Sequence, residues 1–202
     1  MSANTIAANR SLRRAYERET IWLFGYGSLI FKADFPYLDR RPASIDHWVR
    51  RFWQGSHDHR GTPSAPGRVV TLIPQKQAVC QGVAYLIELD VFDHLDFREK
   101  NGYLRFVTDM TFRNKSVVPG TVYIATEQNA AFLGEAPESD IARHIAESAG
   151  PSGHNADYVL NLAQALRALS ADDPHVFNIE EHLLKLRQSW TSRRPGEVCP
   201  PF

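Results

Sequence analysis

One carboxylate among charged neighbours is the first candidate for chemistry in this 202-residue chain: Glu99, in Asp96-Phe97-Arg98-Glu99-Lys100-Asn101-Gly102-Tyr103. By polarity alone, the residues after Phe97 read as a solvated turn. For Glu99 to act, its carboxyl must turn inward, away from Arg98 and Lys100 and against aromatics such as Phe97 or Tyr103. Partial burial would then raise its pKa toward a range useful for proton transfer.

The second candidate is Gly25-Tyr26-Gly27-Ser28-Leu29. Two glycines at the end of an apolar run allow a tight turn with exposed amides, and such amides can form an anion-binding nest. Ile30 stands where a dinucleotide fingerprint needs its third glycine. Tyr26 and Ile30 occupy the two glycine positions that a nucleophile elbow would place around Ser28. An ordinary strand-ending turn is the plainer reading of these residues alone.

The third is Arg50-Arg51-Phe52-Trp53-Gln54-Gly55-Ser56-His57-Asp58-His59-Arg60-Gly61. Its bases and aromatics are too short a run for a nucleic-acid surface. His57 and His59, two apart, could meet a metal from one strand face. No third ligand at diagnostic spacing and no cysteine pair accompany them, so no metal is expected.

These segments need a scaffold. Ile21 to Tyr26 reads as a buried strand stopped by Gly27, and residues 34–42 as a loop broken by Pro36 and Pro42. Strands are expected at 45–54, 68–73, 80–88, 103–112 and 120–125, with a polar loop at 57–67. Asp90 opens a short helix to about Phe97. From residue 138 the period becomes helical: Ser139, Asn155 and Asp173 are the expected caps, with Pro174 at a first helical position. A short helix is also expected at 11–18. Strands first and helices last indicate an α+β domain. Its mostly antiparallel sheet is expected to be barrel-like, with flanking and C-terminal helices, although periodicity alone does not close a barrel. The expected division is an N-terminal arm at 1–19, one domain at 20–190 and an irregular tail at 191–202.

Lys+Arg and Asp+Glu both total 23, which lacks the basic excess that phosphate backbones require. Cys80 and Cys199 are no disulfide framework, and a reducing cytoplasm is the expected compartment. The polar N-terminal residues lack the apolar core of a secretory signal, and no apolar run approaches the ~20 residues a membrane helix needs. The expected partner is a small molecule, with neither nucleic acid nor membrane.

Taken in order, several strings resemble the ChaC-type γ-glutamylcyclotransferases, the glutathione-specific branch of their superfamily. They are Phe24-Gly25-Tyr26-Gly27-Ser28-Leu29-Ile30, Arg51-Phe52-Trp53-Gln54-Gly55-Ser56, Asp58-His59-Arg60-Gly61, Pro66-Gly67-Arg68-Val69-Val70-Thr71-Leu72, Leu95-Asp96-Phe97-Arg98-Glu99-Lys100 with Gly102-Tyr103, Val122-Tyr123-Ile124-Ala125, and Gly150-Pro151-Ser152-Gly153 with Asn155. The resemblance spans residues 21–187. Asn101 departs from it, standing where that family usually has glycine.

The resemblance implies internal acyl transfer: the α-amine of glutathione attacks its own γ-carbonyl, giving 5-oxoproline and cysteinylglycine. It implies Glu99 as general acid/base and the Tyr26-Gly27-Ser28-Leu29 amides as holders of the α-carboxylate. Tyr103 and Tyr123 are candidate pocket walls or donors, and Arg68 a candidate for the glycine carboxylate. The nucleophile belongs to the substrate, so no cofactor is expected. Arg98 and Lys100 are expected to face solvent. Two alternatives stay open: a cyclotransferase for other γ-glutamyl amines or amino acids, and a non-catalytic binding or regulatory protein. A glutathione-handling oxidoreductase is disfavoured, because no Cys-x-x-Cys motif is present.

Overall fold

The apolar run Ile21-Trp22-Leu23-Phe24 forms β1 (Thr20–Gly25) in the computed structural model, which describes residues 4–12 and 19–193. Four further strands follow: β2 (Asp39–Ser56), β3 (Gly67–Glu88), β4 (Tyr103–Phe112) and β5 (Val117–Ala125). They close into a barrel in the order β1-β3-β2-β4-β5. Every pairing is antiparallel except β1 with β5, where Trp22 to Phe24 run parallel to Gly120 to Val122. The closing seam between β2 and β4 is short, pairing Ala43 with Phe112 and Ser44 with Thr111.

Two strands are longer than their punctuation suggests. β2 begins at Asp39 and includes Pro42, where β3 is its neighbour, while β4 joins only at Ala43. Proline is tolerated there because one flank of the strand makes no ladder. β3 runs unbroken where a gap was expected between residues 73 and 80. Instead of ending, the β2–β3 ribbon bends. Register shifts between Asp46 and Trp48, with His47 and Gln77 at φ 67° and 62°. A bulge of this kind keeps pairing on both sides of a kink.

Alternate residues from the strands fill the interior, among them Ile45, Phe52, Leu72, Ile87, Met110 and Val122, all at most 2% exposed. The short helix α2 (Val91–Arg98) links β3 to β4. After the barrel come α3 (Glu138–Ala146), α4 (Asn155–Ala168) and α5 (Pro174–Arg193). Their apolar stripes, such as Tyr158, Leu162 and Leu166 on α4, pack into the same core.

The caps differ in part from expectation. Asp173 does cap α5, its Oδ1 accepting the Val176 N–H at 3.1 Å. Pro137, not Ser139, precedes α3, and His154, not Asn155, precedes α4. Asn155 is instead fully buried and brackets the backbone of Arg68. Its Oδ1 accepts the Arg68 N–H at 2.6 Å, and its Nδ2 donates to the Arg68 carbonyl at 2.8 Å. Of the helix expected at 11–18, residues 13–18 lie outside the described residues; α1 covers Ile6–Leu12. Among the described residues, no helix is long and apolar enough to cross a membrane.

Candidate active site

β1 ends at Gly25, and the chain turns through Tyr26 and Gly27 into a single 3-10 turn at Ser28–Ile30. Gly27 is required by contact. A Cβ there would lie 2.8 Å from the Tyr158 hydroxyl and 2.9 Å from Val70 Cγ2, closer than real Cβ contacts come. The turn is pinned by its carbonyls. Tyr85 donates its hydroxyl proton to the Leu29 carbonyl at 2.6 Å. The buried Arg50 donates Nε to the Tyr26 carbonyl, and its Nη1 pairs with Asp173 at the start of α5. Among the described residues, no hydrogen bond has the N–H of Gly27, Ser28 or Leu29 as its donor. Three donors thus stay available beside a cavity, the arrangement of an anion nest.

That cavity, of about 40 Å³, is walled by Tyr26, Gly27, Ser28, Leu29, Tyr103 and Tyr123, together with Glu99 and Tyr158. A larger cleft of about 170 Å³ shares Ser28, Glu99, Tyr103 and Tyr158 with it, and adds Asp58, Arg60 and Arg98. Glu99 follows the last turn of α2, its N–H bonded to the Leu95 carbonyl at 2.8 Å. The turn swings its carboxyl inward, leaving the side chain 17% exposed. Burial raises the Glu99 pKa above the usual carboxylate range; Arg98 opposes the rise, and Asp34 and Asp58 add to it.

Tyrosines surround this carboxyl. Burial raises the pKa of Tyr26, Tyr103 and Tyr123, and pushes that of Tyr158 up to about 12. Tyr26 donates to the Tyr123 carbonyl at 2.8 Å, Tyr103 to the Val70 carbonyl at 3.0 Å, and Tyr123 to Asp96 Oδ1 at 2.6 Å. The phenol protons of Tyr26, Tyr103 and Tyr123 are therefore engaged by the protein, and their oxygens are what a ligand can meet.

The structure brings Glu99, Tyr26, Gly27, Ser28, Leu29, Tyr103 and Tyr123 together. It does not bring Arg68 with them. The Arg68 guanidinium is buried, donating to the carbonyls of Phe52 at 2.9 Å and Gly134 at 3.0 Å. Arg60 is the arginine of that region which lines the cleft. Phe97 is 62% exposed and does not shield Glu99; the Lys100 ammonium stacks over its ring at 3.9 Å. Arg98, expected in solvent, turns into the cleft. Its Nε lies 3.2 Å from Glu99 Oε1, Nη1 pairs with Asp34, and Nη2 donates to Ser28 Oγ at 2.8 Å. Asn101 donates to Asp58 Oδ2, and Gly102, at φ 94°, carries the left-handed backbone of that turn. His59 meets Ser152 Oγ at 3.1 Å, and among the described residues no group of three potential ligands gathers around it.

Sequence reasoning missed Arg98 and Tyr158 as wall residues. A charged neighbour of Glu99 gives no sign of which way it points. Tyr158 reads only as one apolar position of a helical stripe.

A family model described as ChaC-like protein matches residues 21–186. Gamma-glutamylcyclotransferase 2-3 of Arabidopsis thaliana is 45% identical over 171 residues, 79% of this chain and 86% of that protein. Glutathione-specific gamma-glutamylcyclotransferase 1 of Danio rerio is 41% identical over 177 residues, 83% of this chain and 90% of the relative. The crystal structure of a yeast γ-glutamylcyclotransferase specific to glutathione superposes with a TM-score of 0.80 at 33% identity, covering 85% of this chain and 99% of that one. The matched residues include every strand of the barrel and both sides of the cleft, and on that ground the chain belongs to the ChaC-like protein family.

Proposed function

We propose that this protein cleaves glutathione to 5-oxoproline and cysteinylglycine, with Glu99 moving the proton. The observation that best supports this reading is the placement of one buried carboxyl, Glu99, on the wall shared by both cavities, facing the turn whose Gly27–Leu29 amides are undonated. The named activities of the relatives agree with it.

The α-carboxylate of the γ-glutamyl group docks on those amides, with the Arg98 guanidinium beside Ser28 adding positive charge. The neighbouring α-ammonium then lies against Glu99 and the phenol oxygens. Glu99 removes one ammonium proton, and the freed amine attacks the γ-carbonyl carbon of the same molecule. A C–N bond closes the five-membered lactam as the bond to the cysteine nitrogen breaks. Glu99 gives that proton to the departing nitrogen, and the second proton of the new lactam nitrogen follows by the same carboxylate, so cysteinylglycine leaves as its ammonium, 5-oxoproline keeps one N–H, and atoms and charge balance without a co-reactant. A raised pKa suits a group that must both accept and donate near neutrality. Holding amine and carbonyl in contact supplies up to ~7–11 kcal/mol of the barrier through lost freedom already accounted for in binding. The cysteinylglycine half extends along the larger cleft, where Arg60 and Lys32, not Arg68, are cations lining the wall beyond Arg98.

Incubation of the purified protein with glutathione, with detection of both products, tests the reading. Release of 5-oxoproline from glutathione but not from γ-glutamyl-alanine is expected. Equal turnover of the two would assign a broader cyclotransferase instead, and no turnover of either would overturn the proposal.

A further inference from the structure

The N-terminal segment, Asn4 and Thr5 followed by helix α1, touches the catalytic turn, although it lies ahead of the residues matched by the family model. Three contacts carry this. Asn4 forms a β-bridge with Asn101. Thr5 donates both its N–H, at 3.0 Å, and its hydroxyl, at 3.1 Å, to the Lys100 carbonyl. Asn9, with no exposed surface, donates Nδ2 to the Tyr103 carbonyl at 3.0 Å and accepts the Arg105 N–H on Oδ1 at 2.9 Å; the Arg105 guanidinium also reaches the Asn9 carbonyl.

These bonds bracket Glu99 from its C-terminal side. Residues 100–102 lie between α2 and β4 outside any regular ladder, so their backbone groups need partners from elsewhere. A side-chain amide buried with both its donor and its acceptor used is a fixed part of the structure, costly to remove. The effect extends to the cleft. Asn101, bridged by Asn4, donates to Asp58, and Asp58 is one of the charges acting on Glu99. Arg105, gripped by Asn9, pairs with Asp96 at 3.4 Å, and Asp96 receives the Tyr123 hydroxyl in the cavity wall.

We infer that α1 is a clamp on the catalytic turn, and that Asn9 is a positioning residue which sets where the Glu99 carboxyl stands. The inference rests on the role proposed for Glu99. It explains why an arm outside the barrel carries a wholly buried polar side chain. A clamp acts on the chemical step, whereas the α-carboxylate site on the other side of the cavity, at Gly27–Leu29, is untouched by it.

The test uses the full chain with Asn9→Ala, with Thr5→Val as a milder variant and Ser11→Ala as an exposed control on the same helix. For Asn9→Ala, kcat for 5-oxoproline release should fall about tenfold to a hundredfold, the cost of a misplaced catalytic group. KM should stay nearly constant. The acid limb of the pH profile should move down, because a loosened turn admits water to Glu99. The other groups facing that carboxyl are Arg98, Asp34, Asp58 and the hydroxyls of Tyr26, Tyr103, Tyr123 and Tyr158, and all are retained. Amide hydrogen exchange over residues 99–105 should quicken in Asn9→Ala and Thr5→Val, and not in Ser11→Ala.

A folded Asn9→Ala with native kcat, or a loss confined to KM, would overturn the clamp. If Asn9→Ala does not fold, Thr5→Val decides: native kcat with native exchange over 99–105 sinks the inference, and a fall in kcat with faster exchange supports it. Failure of the wild-type protein to release 5-oxoproline would overturn the role of Glu99, and with it the clamp's catalytic meaning. Unchanged exchange over 99–105 in active protein would remove the clamp alone.

Discussion

The Arg98 guanidinium ties the Glu99 carboxyl to the glycine turn: Nε lies 3.2 Å from Glu99 Oε1, while Nη2 donates to Ser28 Oγ at 2.8 Å. One cation therefore touches the group that would move the proton and the turn that would hold the carboxylate. Its neighbour Lys100 touches neither, resting on the Phe97 ring.

Arg98→Gln should accordingly raise KM for glutathione by about tenfold or more, the usual weight of a lost charge-assisted hydrogen bond. Arg98 also holds down a pKa that burial raises. Without it the Glu99 pKa rises further, so the acid limb of the pH profile should shift to higher pH. Lys100→Gln should stay within about twofold on both counts, as for an ordinary surface change. Steady-state kinetics of the two variants from acid to neutral pH check this.

Glu99→Gln keeps the shape of the side chain and removes its basicity. Turnover should fall at least about a hundredfold, the lower end of what a positioned proton-transfer group contributes. Glutathione should still bind, since the turn amides are unaltered. Stability should hold or rise slightly at neutral pH. The folded-state pKa of Glu99 is raised, so ionising the carboxyl opposes folding there, and the amide relieves that cost. Calorimetric titration and thermal unfolding of the same sample separate these effects, and near-native turnover would remove the mechanism.

Activity should survive dialysis against a strong chelator, because nucleophile and electrophile share one molecule. Loss that zinc restores would return His57 and His59 to consideration as ligands.

Acid sensitivity should have an identifiable source in His175. Its Nε2 accepts the Phe52 N–H at 3.1 Å, and its Nδ1 lies 3.0 Å from Glu138 Oε1. The first bond requires a neutral Nε2, so Nδ1 carries the proton toward Glu138. Burial lowers the His175 pKa below its ordinary 6.5, with Arg51 adding to the effect. As pH falls through that ordinary value, the unfolded chain takes up a proton before the folded one does. Stability contributed above it is then lost, by at most about 1.4 kcal/mol per pH unit for one proton. Thermal unfolding across this range should show the loss, and His175→Gln, which keeps an acceptor for Phe52, should flatten it.

The strands were legible by their apolar runs and the late helices by their period, whereas closure of the sheet depends on pairings between distant strands that periodicity does not carry. What failed was punctuation. Pro42 and the polar stretch Pro74–Gln77 look like breaks, yet a half-paired flank accommodates the first and a bulge the second. Of the residues around the cavity, Glu99 and the glycine turn were singled out by residue type and resemblance. Arg68 and Arg60 were not distinguishable in one dimension, since both donate to carbonyls and only packing says which of them lines the cleft. Asn155 misled for a related reason: an amide at a helix start suits a cap, but the same amide also suits a bracket on a neighbouring strand.

The tyrosine-lined chamber has a chemical consequence. Its phenols are held protonated at neutral pH, so among the residues that wall it Glu99 is the one whose charge can change there. The wall thus offers one base and no second carboxyl. That economy suits a reaction whose attacking atom and acyl group arrive on a single short scaffold. On this view, selectivity for an α-amino γ-acyl compound comes less from what the chamber recognises than from what it lacks.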